Sequence, residues 1–148
     1  MTPLVTANMG DLPVIQRIAH DAFAPYVPVI GKPPAPMMQD YAPFVAAGQV
    51  TRTRAKDGFV VLVPRDDHLY LDTIAVAPAA QGRGIGRQLL THAIDYARVL
   101  GLPRVHLCTN AKMTGNIALY QRFGFQVTGR GQQDGFERVF FDLSIAPE

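Results

Sequence analysis

Gln81-Gly82-Arg83-Gly84-Ile85-Gly86 places three glycines and an arginine within six residues. An apolar strand pattern leads into this stretch and a helical pattern leads out of it. A glycine-rich turn that opens a helix presents unpaired backbone N–H groups and the positive end of the helix dipole. The chemistry this supports is anion binding, and the ligand it suits is a pyrophosphate. It is not a Walker loop, because no Gly-Lys-Ser/Thr follows the glycines. A dinucleotide fold would place its glycines after the first strand, with an acidic residue ~20 positions on. Here the loop lies in mid-chain and is led by Gln81. A helix start that needs glycines for close packing would leave the same pattern.

The elements around the loop follow from periodicity. Leu69, Leu71, Thr73 and Ala75 alternate with Tyr70, Asp72, Ile74 and Val76. That is a strand with both faces largely apolar, so both are expected to be buried. Pro78 ends it, having no N–H to donate. Ile85, Leu89, Leu90, Ala93, Ile94 and Ala97 recur at helical spacing, up to a stop near Gly101. Upstream, Pro3–Ala7 reads as a first strand. Asn8 or Asp11 is placed to cap a helix whose apolar face is Leu12, Ile15, Ile18, Ala19, Ala22 and Phe23. Pro25 and Pro28 break that helix. The run Gly31–Pro36 is neither regular helix nor central strand. A second helix is expected from about Met37 to Ala47, with Pro43 in its first turn or kinking it and Gly48 at its C-cap. Strands at Gln49–Ala55 and Phe59–Val63 follow. The turn Lys56-Asp57-Gly58 joins them, with Gly58 free to take a positive φ. Beyond the long helix, Val105–Thr109 reads as a strand parallel to the Leu69 strand, since a helix crosses over between them. The last strands are Gln126–Gly129 and Phe136–Leu143.

Composition bounds the function. The 148 residues are enough for one domain with one core, residues 1–148, and 48% hydrophobic with 18% charged residues describes a soluble globular chain. No apolar run is long enough to cross a bilayer, and the N-terminus lacks a signal-peptide pattern. One cysteine, Cys108, cannot close an internal disulfide, which fits a cytoplasmic location. The formal net charge is +2 and no Lys/Arg cluster stands out, so neither nucleic acid nor membrane is an expected partner, and no metal set is read.

The spacing Gln-x-x-Gly-x-Gly after a strand ending Ile-Ala-Val-x-Pro resembles the acetyl-coenzyme A signature of the GNAT superfamily of N-acetyltransferases. The later segment Asn116–Phe125 is similar to the Ala-x-x-Leu-Tyr-x-x-x-Gly-Phe stretch of many members. The resemblance implies an α/β (α+β) fold. Its central sheet is mixed but mostly antiparallel, with about six or seven strands, two splayed parallel strands and about four flanking helices. It implies an acetyl-CoA-dependent acyltransferase of the EC 2.3.1 class, acting by direct attack in a ternary complex. Gln81, Gly82, Arg83, Gly84, Ile85, Gly86 and Arg87 would bind the pyrophosphate. Backbone at Ile74, Ala75 and Val76 would face the pantetheine and thioester, and a backbone N–H there would stabilise charge on the carbonyl. Many members carry an asparagine where this chain has Met113, and Asn116 stands at the alanine of the motif. Asn110 or Asn116 is left to supply the missing contact.

By the same resemblance Tyr120 corresponds to a tyrosine beside the thioester sulfur, suited to protonate the thiolate. The base is open between Asp72, His106 and water. Alternation puts His106 and Cys108 on one strand face. His68, in a turn, is a weaker candidate. The acceptor is a small-molecule or protein amine, and a homodimer is left open. It is expected to enter from the side built by Tyr26–Tyr41 and the turn near Gln133–Arg138. Tyr26, Asp40, Tyr41, Glu137 and Arg138 are the polar side chains there. Two other functions fit the same motifs: an acetyl-CoA-binding module without turnover, and transfer of a longer acyl chain.

Overall fold

The computed structural model describes residues 3–146. Seven strands and six helices follow in the order β1 (Leu4–Thr6), α1 (Leu12–Phe23), α2 (Val27–Ile30), α3 (Ala35–Met38), α4 (Ala42–Ala46), β2 (Val50–Thr53), β3 (Gly58–Pro64), β4 (Leu69–Val76), α5 (Ile85–Leu100), β5 (Arg104–Asn110), α6 (Thr114–Arg122), β6 (Gln126–Gln133) and β7 (Phe136–Ser144). The sheet order is β1-β2-β3-β4-β5-β7-β6. β4 and β5 run parallel, while β1–β2, β2–β3, β5–β7 and β6–β7 are antiparallel. This is the mixed, mostly antiparallel sheet with one parallel pair that the resemblance implies. No helix among the described residues is long and apolar enough to cross a membrane. The chain divides into two compact units. One takes in the chain up to Val63 with Asp72–His92, and the other Pro64–Leu71 with the chain from Ala93 on.

In the first unit, α1 buries Ile15, Ile18, Ala19 and Phe23, and β3 buries Phe59 through Val63. The expected helix over 37–47 is two short ones, α3 and α4, separated at Gln39–Tyr41. Pro36 and Pro43 each fall in a first turn, where a missing N–H costs no hydrogen bond. Pro28 does the same for α2, so the prolines divide this segment into single turns rather than ending helix altogether.

The β2–β3 turn also differs from expectation. Lys56, not Gly58, takes the left-handed conformation, with φ 61°. The buried Thr53 hydroxyl organises the turn from inside. It donates to Asp57 at 2.6 Å and accepts from the N–H groups of Asp57 and Gly58. Gly58 serves close approach instead. A Cβ there would lie 2.9 Å from Ile85 Cγ2 and 3.3 Å from the Ala75 carbonyl oxygen, so glycine lets the start of α5 lie close over the strands.

In the second unit, the parallel ladder sets Leu69 opposite Val105 and Tyr70 opposite His106. β5 then pairs with β7 from Arg104–Ser144 to Asn110–Arg138. β6 runs to Gln133, further than expected, with a bulge between Val127 and Gly129. Asp134 and Gly135, both at positive φ, make the hairpin turn. The expectation that β4 is buried on both faces fails. Leu69, Leu71, Thr73 and Ala75 are buried, but Tyr70, Asp72, Ile74 and Val76 are half-buried. β5 repeats the pattern, with Val105, Leu107 and Thr109 inside and His106 and Cys108 on the open face.

Asp11 anchors the start of α1. Its carboxylate accepts the Asn8 N–H at 3.0 Å and pairs with Arg52 Nε at 2.9 Å, both side chains being largely buried. The Asn8 N–H, then Arg52, hold this carboxyl below the usual carboxylate range, against the opposing effect of burial. A depressed folded-state pKa contributes stability at higher pH, and the contribution is lost as pH falls through that value. Asp11→Asn should therefore destabilise the fold by about 3 kcal/mol at pH 7, because the Arg52 charge is left behind. The gap should narrow as pH falls below the normal aspartate range. Denaturant titrations of both proteins at pH 7 and pH 3 check this.

Candidate functional site

The glycine loop belongs to the first unit. Gly82 and Gly84 are left-handed, with φ 82° and 80°. The Gly84 carbonyl accepts the Gln88 N–H at 3.0 Å, so the helical ladder of α5 begins there. The N–H groups of Ile85, Gly86 and Arg87 precede the first residue that the ladder can satisfy. A Cβ at Gly82 or Gly84 would meet open space. These two glycines are thus required by backbone conformation and not by packing. Close packing, the competing explanation of the motif, operates at Gly58 instead. Gln81 Nε2 donates to the Val76 carbonyl at 3.1 Å and ties the loop to the end of β4. Arg83 and Arg87 are exposed, whereas Ile85 is buried. The arrangement is an open cradle of N–H groups flanked by two guanidinium side chains, which fits a diphosphate.

Other expected residues of this unit have defined places. Ala75 is buried, while Ile74 and Val76 lie on the half-open face of β4. The Asp72 carboxylate accepts from Gln39 Nε2 at 2.7 Å and from Thr73 Oγ1 at 2.8 Å. It is therefore held by two donors on its own unit. Tyr26 is half-buried in the turn Ala24–Tyr26. Asp40 is exposed and accepts the N–H of Ala42, the first residue of α4. Tyr41 is a core residue rather than a surface contact. It is 1% exposed, its hydroxyl donates to the Pro36 carbonyl, and its ring meets Phe59 edge-on. Burial pushes its phenol above the ordinary tyrosine range.

In the second unit, the open faces of β4, β5 and β7 carry a cluster of titratable groups. His106 Nδ1 lies 2.5 Å from Asp142 Oδ1, and His68 Nδ1 lies 2.7 Å from Asp67 Oδ1. A carboxylate only accepts, so Nδ1 carries the proton in each ring and Nε2 keeps the lone pair of the neutral form. The two rings meet edge-on at 5.6 Å. Arg104 reaches both carboxylates, Asp67 at 3.2 Å and Asp142 at 3.9 Å. The His68 hydrogen bond, with help from the Arg104 charge, holds Asp67 below the usual carboxylate range. A cavity of about 400 Å³ lies here, lined by both histidines with Arg65, Tyr70, Cys108, Gln133 and Phe140.

Tyr120 is buried in the same unit, its ring edge-on to Phe125 and Phe141. Met113 is buried, and its sulfur accepts from Thr109 Oγ1 and Asn116 Nδ2. Asn110 accepts the Lys112 N–H within the strand-to-helix connection. Glu137 is exposed. Arg138 Nη1 donates to Cys108 Sγ at 3.5 Å, and its guanidinium lies over Phe136. Sequence reasoning missed Asp142 and Arg104 and set His68 aside as a turn residue. The antiparallel register that places Asp142 opposite His106 is set by pairing, which the strand pattern of β7 does not reveal.

The chain belongs to the Acetyltransferase (GNAT) family, whose match covers residues 22–125 and so includes the glycine loop and Tyr120. Over 52 residues it is 42% identical to the mycothiol acetyltransferase of Renibacterium salmoninarum, a stretch of 35% of this chain and 15% of that protein. It is 28% identical, over an alignment of 170 residues, to the L-methionine sulfoximine/L-methionine sulfone acetyltransferase of Pseudomonas aeruginosa, covering 95% of this chain and 93% of that one. The chain thus spans a small part of the first relative and nearly all of the second. The structure of the PaiA N-acetyltransferase of Thermoplasma acidophilum, solved with coenzyme A, superposes with a TM-score of 0.79 at 15% identity, covering 97% of this chain and 99% of that one.

The loop conformation generates its own prediction. Gly84→Ala should cost about 1–2 kcal/mol of stability through left-handed backbone strain alone, since nothing crowds the new methyl. Gly58→Ala should cost about 1–3 kcal/mol for the opposite reason, a clash with Ile85 at an unstrained φ. Thermal or chemical denaturation of the two variants checks both. A crystal structure should show Ile85 displaced only in the second.

Proposed function

We propose that this chain transfers an acetyl group from acetyl-coenzyme A to a primary amine by direct attack in a ternary complex, within a single catalytic domain. The observation that carries the reading is the cradle at the start of α5, where left-handed Gly82 and Gly84 face open space in a chain of the GNAT family. The coenzyme A held by the Thermoplasma protein supports the same ligand class. When bound, acetyl-coenzyme A would supply an acetyl group activated as a thioester. N–H groups of the Gly82–Arg87 stretch would hold its pyrophosphate, with Arg83 and Arg87 adding charge at the exposed rim. Backbone at Ile74 and Val76 would bind the pantetheine arm. Asn110 or Asn116 would do the same, the first accepting the Lys112 N–H and the second donating to the Met113 sulfur.

His106 is the better base of the two candidates. Its Nδ1 is held by Asp142, and Nε2 remains to take a proton from the ammonium. Asp72 Oδ1 accepts from both Gln39 and Thr73, which suits a positioning role. Tyr120 would hold or protonate the departing sulfur through its hydroxyl. Of the residues expected to select the acceptor, Tyr41 is buried and drops out, and Arg138, bonded to Cys108, is the one we assign to that role. Release of free thiol on addition of an amine separates transfer from cofactor binding without turnover.

Two measurements test the reading. Gly84→Asp puts a side chain and a negative charge into the cradle, so calorimetry on the folded variant should show acetyl-coenzyme A affinity falling by about a hundredfold. Unchanged affinity would sink the assignment. Tyr120→Phe should lower kcat by about tenfold or more, with little change in the cofactor Kd, because the lost hydroxyl acts on the transition state. If kcat stays within about twofold while chemistry limits the rate, Tyr120 only packs.

A further inference from the structure

The cavity of the second unit has features that the acetyl-transfer reading does not by itself require. Its volume, about 400 Å³, is in the range of small-molecule sites, and it is open to solvent. Three rings form a row across adjacent strands beside it. Tyr70 on β4 and His106 on β5 stack at 6.1 Å with planes 29° apart, and His106 and Phe140 on β7 stack at 6.2 Å with planes 12° apart. His68 stands edge-on to the middle ring. The row offers a flat, largely apolar platform at the spacing that favours an aromatic or aliphatic body.

Charge around the cavity is one-sided. Arg65 lines it, its guanidinium 6.0 Å from the Tyr70 ring centroid. No carboxylate among the described residues lines it. Asp67 and Asp142 stand behind the imidazoles and share Arg104, so with Arg65 and Arg138 three guanidinium groups face two carboxylates around the cavity, and neither carboxylate lines it. A ligand therefore meets neutral or positive groups: Arg65, His68, Tyr70, His106 and Cys108, with Arg138 behind the Cys108 sulfur. A second ammonium on the ligand would be repelled, and a carboxylate would be tolerated.

We infer that this cavity receives the acceptor, that the acceptor is a small primary monoamine with an aromatic or otherwise apolar body, and that Asp142 is the positioning residue that makes His106 its base. The inference rests on the acetyl-transfer reading and narrows it. The proton inventory closes. An ammonium gives one proton to His106 Nε2, and the freed nitrogen lone pair forms the bond to the acetyl carbon. The carbon–sulfur bond breaks with its electron pair going to sulfur. The proton lost from nitrogen as the amide forms balances the one taken up by the thiolate. The proton on His106 then leaves to solvent.

The test uses the purified chain and three matched acceptors: an arylalkylamine, the same skeleton with a second ammonium, and the same skeleton with a carboxylate. Thiol release should show the dication at least about tenfold lower in kcat/KM than the other two. Arg65→Glu, at an exposed position, should shrink that gap. Phe140→Ala should raise the acceptor KM about tenfold while acetyl-coenzyme A affinity, read by calorimetry, holds within about twofold. Asp142→Asn should lower kcat about tenfold or more at nearly constant KM, and Asp142→Glu should recover part of it. A packing defect would not produce that split or that rescue. Intact cofactor binding together with a preference for dications or lysine peptides, or with a KM indifferent to Phe140→Ala and Arg65→Glu, overturns this inference alone. Loss of cofactor binding by the unmodified chain overturns the acetyl-transfer reading as well.

Discussion

A β-strand turns successive side chains to opposite faces, and in β4 and β5 that alternation separates packing from chemistry. Leu69, Leu71, Val105 and Leu107 go inward and are excluded from water. Tyr70, Asp72, His106 and Cys108 are thereby forced onto the open face. A shift of either strand by one residue would exchange the two sets and leave the imidazole in the core. Burial of the leucines and valines, at roughly 25 cal/mol per Å² of apolar surface, is thus what holds the polar groups at the surface where they can act.

The anion cradle depends on a second constraint, the close passage of α5 over the strands. Gly58 has no side chain to hold Ile85 away, and Ile85 is the first residue of the helix. Packing at this point sets where the helix begins, and hence where its unsatisfied N–H groups lie. The loop glycines act separately. Gly82 and Gly84 let the chain take left-handed turns at no steric cost, leaving open space in front of the backbone. One glycine serves contact, and the others serve shape.

The ion pairs of the second unit are better read as orientation devices than as stability. His68, Asp67, Arg104, Asp142 and His106 form a chain of partly exposed charges, and pairs of this kind add little to folding. Their effect is on the rings. Each carboxylate selects which imidazole nitrogen carries the proton, and Arg104 keeps both carboxylates in place. Two histidines far apart in sequence are set in the same tautomer by partners that share one guanidinium.

Much of this was legible in the residues alone. Periodicity located β4, β5 and α5, because alternation and helical spacing are local properties of the chain. The glycine loop and the Asn116–Phe125 segment were recognisable for a similar reason: their chemistry is carried by neighbours in sequence. Local rules failed where distant segments decide. The helix expected over 37–47 broke at Gln39–Tyr41, with the Gln39 side chain bonded to Asp72 and the Tyr41 ring packed against Phe59. Gly58 reads as a turn residue in sequence because its distant neighbour, Ile85, cannot be seen from its own stretch. The open face of β4 was expected to be closed, since composition records how apolar a face is and not what covers it. The Asp142–His106 pair joins residues that only strand pairing brings opposite each other. Sequence determined the elements and the anion loop because both arise from contacts a few residues apart. Tertiary structure alone decided which side chains share a face and which partner each imidazole holds, because those contacts follow from the register of strands remote in the chain.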